Sequence, residues 1–131
     1  MMEDDLRSLL KANAGISALA NAVEWNEVEQ GTQPPYLILE YVFDPREKKM
    51  DGPQVTRKTR IRTKSFFRKG ASGFNLKEAV IAALEGATRT TVGSTLFLGA
   101  FPNELGDMQI DTPDGIRNCK IVDFEIAHTI P

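Results

Sequence analysis

The chain has 131 residues, a net charge of -2 and a single cysteine, Cys119. That length suits one compact domain with its own core better than two, and a lone cysteine excludes an intrachain disulfide. No apolar run approaches the roughly 18 residues of a membrane-spanning helix, and the acidic opening Glu3-Asp4-Asp5 is unlike a secretory leader, which begins basic and turns apolar.

The small net charge conceals a segregated one. Residues 46–69 contain ten Lys or Arg against only Glu47 and Asp51, a formal +8, so the rest of the chain carries -10. Surfaces of opposite sign on one polypeptide guide copies of it, or other partners, into register.

In chain order, residues 3–14 predict a first helix, with Leu6, Leu9, Leu10 and Ala14 on one face. Its acidic first turn favours the positive end of the helix dipole. Gly15 ends or bends it, Ile16 and Leu19 suggest a further short turn, and residues 22–25 read as a brief extended piece. Trp25 suits either a core anchor or a contact between subunits. A loop over residues 30–35 then leads to the strand signature of residues 36–43, with Pro34 and Pro35 kept ahead of the ladder. Residues 44–54 form a long polar connection.

From Val55 to Phe67 the alternation is strict. Arg57, Thr59, Ile61, Thr63 and Ser65 share one face, and Lys58, Arg60, Arg62 and Lys64 the other. Fully extended, these residues would span about 43 Å, so the first part is expected to project as an arm and the part from Arg60 onward to join the sheet. Asn75 and Glu78 have capping-box spacing for a second helix, whose stripe is Leu76, Ala79, Val80, Ala83 and Leu84, with Gly86 as its expected left-handed stop. Residues 90–100 read as a strand, 101–107 as an interruption and 108–111 as another strand, followed by a turn at 112–115. The last strand, 117–130, sets Val122, Phe124 and Ile126 against Asp123 and Glu125 on its other face.

This order is no βαβ repeat. It predicts one α+β domain over residues 1–131: a mixed, mostly antiparallel sheet with two main helices on one face and a long loop or hairpin extension. The expected core is Leu6, Leu9, Leu10, Leu37, Leu39, Ile61, Leu76, Val80, Leu84, Val122, Phe124 and Ile126. The other face then needs a neighbouring molecule to cover it.

Reaction chemistry is hard to assemble from these residues. His128 is the only histidine and lies at the end of a strand; with Cys119 it gives two soft ligands, too few for zinc. Neither a GxxxxGK[ST] phosphate loop nor a GxGxxG fingerprint occurs, and Gly70 and Gly73 read as a strand-to-helix turn. Asp107, Asp111 and Asp114 lack the calcium-loop pattern. No catalytic, cofactor-binding or metal-binding residues are therefore expected. Beside a plain solvated face, the basic segment has two readings. One is protein docking, with Arg46, Lys48, Lys49, Arg57, Lys58, Arg60, Arg62, Lys64, Asp123 and Glu125 as interface residues. The other is contact of Arg57, Arg60, Arg62 and Lys64 with a nucleic-acid backbone, for which Phe66, Phe67 and Phe74 border the run without alternating inside it.

Five segments in order carry a resemblance: residues 6–19, the Gln33-Pro34-Pro35-Tyr36-Leu37-Ile38-Leu39 entry to the first main strand, Arg60–Phe66, the helix 75–84, and Ile121–Ile126. Together they resemble the tailed-phage tail completion or tail terminator family, small head–tail joining subunits also found in prophages and phage-like particles. The crowding of Arg and Lys in the central strand departs from the family's alternating apolar and acidic or polar pattern. The resemblance implies a structural, non-enzymatic protein without cofactors, sited at the head-proximal end of a virion tail after assembly in the host cytoplasm. It further implies a ring, as a hexamer, that caps the tail tube, stops its polymerisation and offers a surface to the head. Its implied partners are further copies of itself, the tail tube protein and a head–tail connector or stopper, with non-specific contact to DNA in the lumen and none to a membrane.

Overall fold

The sheet grows outward from one long central hairpin. In a computed structural model that describes residues 2–29, 32–43, 48–49, 52–53, 56–68, 72–112 and 115–129, strand β8 (Gly115–Thr129) lies between β5 (Thr56–Phe67) and β7 (Thr95–Thr112) and is antiparallel to both. Strand β2 (Tyr36–Phe43) adds antiparallel to β5, and β1 (Val23–Trp25) adds parallel to β2. With β6 (Thr90–Val92) beside the start of β7, the order is β1-β2-β5-β8-β7-β6. A separate two-residue pairing joins β3 (Lys48–Lys49) to β4 (Gly52–Pro53) within the polar connection.

Helices α1 (Met2–Ala12) and α3 (Ser72–Glu85) cover one face, with the short α2 (Ala14–Leu19) beside them. Leu6, Leu10, Leu76, Val80 and Leu84 from the helices meet Leu37, Leu39, Ile61, Val122, Phe124 and Ile126 from the sheet, each 2% exposed or less, and Leu9 packs at the rim. Burying a side chain of this kind contributes about 1.5–3 kcal/mol. Asn13 accepts the Ile16 amide at 3.1 Å and so starts α2, which lets the chain turn without a proline. Trp25 donates its indole N–H to the Glu3 carbonyl at 2.8 Å and stacks on Tyr41, tying β1 and β2 to the first turn of α1.

Three local expectations change. Helix α3 begins at Ser72, three residues before Asn75, because Gly73 lets it seat on Phe67: a Cβ there would lie 2.1 Å from the ring. The positive φ after α3 falls on Arg89 (53°) instead of Gly86. Strand β7 runs unbroken through residues 101–107. Pro102 needs no donor because, among the described residues, β7 has no strand partner on its outer side there, and the register shifts opposite β8 leave Leu98 and Leu105 as the extra residues, each followed by a glycine, Gly99 and Gly106.

The β6–β7 turn contains the one glycine that α1 requires. Gly93 has φ +59°, and a Cβ on it would stand 2.2 Å from an Asp5 carboxylate oxygen. That buried carboxylate accepts from Thr95 Oγ1 at 2.6 Å and from Ser94 Oγ at 3.4 Å.

Candidate functional site

Pleating sends alternate residues of each strand to the face away from the helices, and the register arranges them in rows. The row Tyr36–Phe66–Cys119–Met108 is apolar, with Tyr36 and Phe66 stacked at 5.0 Å. Next comes Ile38–Lys64–Ile121, then Glu40–Arg62–Asp123–Asn103, and then Arg60–Glu125–Phe101. The open face therefore passes from a small second core into a charged field.

Within that field the cations and carboxylates interleave. Arg62 donates Nε to Asp123 Oδ1 at 2.9 Å and Nη2 to Oδ2 at 3.3 Å, a two-pronged contact with a carboxylate only 5% exposed. The Asp123 hydrogen bond raises the Arg62 pKa, with the charge of Glu40 adding to it. Lys64 Nζ lies 3.0 Å from Glu40. The basic strand thus meets acidic mates on β2 and β8 of its own chain. Lys58 and Arg60 remain exposed at the end where β5 extends beyond β2.

Of the other residues singled out, Arg46 lies outside the described residues. Lys48 and Lys49 form β3, and Arg57 pairs with His128, each described through the backbone alone. The projecting arm expected before Arg60 is instead held: β5 pairs with β8 from Thr56 to Phe67 and parts only from β2. Glu125 is half-buried opposite Arg60. Of the aromatic residues that border the basic run, Phe66 and Phe67 are buried and Phe74 alone is exposed.

The residues most suggestive of chemistry have structural partners. His128 is buried, donates Nδ1–H to the Thr129 carbonyl at 2.9 Å, and accepts the Thr59 hydroxyl at Nε2, 2.8 Å away. Cys119 is buried, and desolvation pushes its thiol up to about 12 against the smaller opposing pull of Lys64. Asp107 accepts from Lys120 at 3.0 Å. Among the described residues, no group of three or more His, Cys, Asp or Glu side chains is placed to hold a metal. An open groove of about 660 Å³ beside β1 is lined by Arg7, Asn21, Glu24, Glu27 and Val28, and Arg7 in it is already bound to Glu24 at 2.8 Å.

Sequence reasoning overlooked the outer edge of β7. Glu104 and Asp107 there hold Lys77 and Lys120, while Phe101, Leu105 and Met108 are exposed. An 18-residue strand with an open side is what a proline and two glycines disguised.

Charged and apolar surface, more than reaction chemistry, marks the residues described. Residues 4–103 match the family described as "Tail completion protein gp17", and the chain belongs to it. It is accordingly a structural, non-enzymatic protein of the virion tail, of the tail completion or terminator class. A chain from the solved "Virion of native gene transfer agent (GTA) particle" shares the fold, with a TM-score of 0.65 and 17% identity over 97% of this chain and 94% of that one. A second solved chain is 16% identical over 95% of this chain and 89% of its own, at a TM-score of 0.46. Comparison with curated proteins gives no match.

Proposed function

We propose that the whole chain acts as one tail terminator domain. Six copies close into a ring on the head-proximal end of the tail tube, stop the tube growing and present the surface on which the head docks. The observation that carries this reading is the family match over residues 4–103. The distribution of charge adds to it. A closed ring needs unlike surfaces to meet between consecutive copies, and the exposed Lys58 and Arg60 on β5 are opposite in sign to the exposed Glu104 and Asp107 on β7. The tail tube protein and a head–tail connector or stopper are the further partners. Lys48 and Lys49, on the short strand paired with Gly52–Pro53, supply cationic contacts to one of them.

Imaging the purified protein mixed with tail tubes tests this directly. A ring at one end of each tube, together with arrested tube growth, is the expected result. A protein that stays monomeric and neither binds nor caps tubes overturns it. A secondary role, contact of Lys58 and Arg60 with DNA passing through the lumen, predicts duplex binding that weakens steeply with salt. Absence of binding at low salt removes that role and leaves the ring intact.

A further inference from the structure

Six large hydrophobic residues are exposed among those described: Tyr41, Val42, Phe74, Phe101, Leu105 and Met108. They are not scattered. Tyr41 and Val42 lie at the end of β2, beyond Leu39 where its pairing with β1 stops. Phe101, Leu105 and Met108 lie on β7 beyond its pairing with β6. Phe74 joins the second group through Lys77, whose Nζ is 5.0 Å from the Phe74 ring and 2.5 Å from Glu104. All the large exposed apolar side chains therefore gather at two sheet edges that lie on opposite sides of β5 and β8.

Both edges have the same local build. Val42 is the bulged residue between the Tyr41–Ile61 and Phe43–Arg60 pairs, and Leu105 is the bulged residue between Glu104–Val122 and Gly106–Ile121. A bulge spoils a flat edge for indiscriminate pairing and holds one side chain outward in a fixed place. The charges differ in sign: Lys58 and Arg60 flank the β2 end, whereas β7 carries Glu104 and Asp107, each holding a lysine of its own chain and still more than half exposed. Exposed apolar residues framed by complementary charge are the usual makings of a protein interface.

We infer that the bulged β7 edge of one copy docks on the bulged β2 end of the next, so that Leu105 and Val42 of consecutive copies become neighbours. This rests on the ring reading and assigns its subunit contact. Two unlike edges on one sheet make the contact heterologous, and a heterologous contact whose rotation closes generates a ring.

Val42→Cys and Leu105→Cys, combined in the full chain, test the pairing with a short bismaleimide applied to protein assembled on tail tubes. Buried Cys119 is not accessible to the reagent, so wild type provides the blank. The expected result is a ladder of covalent oligomers on denaturing gels ending at the ring size, with each single variant remaining monomeric. Rings visible on tubes without cross-links overturn this edge assignment while the capping reading stands. Absence of rings with wild-type protein overturns both. Dimers from Leu105→Cys alone mean that two β7 edges meet, which also overturns it. As a second variant, Phe101→Asp/Leu105→Asp abolishes ring formation with the melting temperature unchanged, since both side chains already face water.

Discussion

At residue scale, stability rests on a few contacts whose loss has a definite sign. Gly93 occupies the left-handed region and leaves no room for a Cβ beside Asp5. Gly93→Ala is expected to lower unfolding free energy by about 1–2 kcal/mol from backbone strain alone, with more from displacing the carboxylate. Gly99→Ala is the comparison. A Cβ at Gly99 meets nothing within 4 Å, so its urea midpoint should move by no more than about 0.5 kcal/mol equivalent. Arg62→Met removes the cation from an almost buried Asp123. Because the Arg62 side chain is 34% exposed, water screens part of the loss, and roughly 1–2 kcal/mol is expected. Lys58→Ala, at an exposed site, should be near neutral in the same denaturation series.

Cys119 gives the pH dependence its direction. Its folded thiol is pushed from 9.0 to about 12, so the fold favours the neutral form. Above the ordinary thiol range the unfolded chain releases a proton that the folded chain keeps. Stability is therefore unaffected by this group below pH 9 and declines as pH rises from 9 toward 12. Replacing Cys119 with alanine should flatten that part of the profile. An alkylating reagent at pH 8 should label the wild type only when denaturant is present.

At the scale of elements, the helices and the main strands were legible because their signals are local. Leucines at helical spacing marked α1, the stripe from Leu76 to Leu84 marked α3, and the alternation Val122, Phe124, Ile126 marked β8. What was not legible depended on distant partners. Nothing near Pro102 in sequence says that the outer side of β7 is open, so the proline reads as a break although the strand tolerates it. Likewise Arg62 and Asp123 are separated by 61 positions. Composition reveals that the chain holds both signs of charge, but only the β5–β8 register reveals that this pair meets within one molecule. Gly73 was similarly opaque, since the Phe67 ring that it accommodates packs on it only after α3 docks.

At the scale of the whole molecule, electrostatics and apolar contact should separate experimentally. The exposed cations Lys58 and Arg60 act over distance, and salt screens them. Reversing both to glutamate is expected to slow capping of tail tubes at low salt, measured by light scattering of growing tubes, and to leave little difference from wild type at about 1 M salt, where the screening length falls to about 3 Å. Thermal stability should barely change, because neither side chain is part of the core.

The placement of β8 has a mechanical consequence. Its ladders to β5 and β7 run beside it on both sides, whereas β1 is held to β2 through only three register pairs. A tension applied along β8 loads both ladders in shear, so many hydrogen bonds must yield together. One applied across β1 peels its pairs in succession. For a subunit fixed between a tube and a filled head, the direction in which strain arrives then decides how much of it the fold can bear.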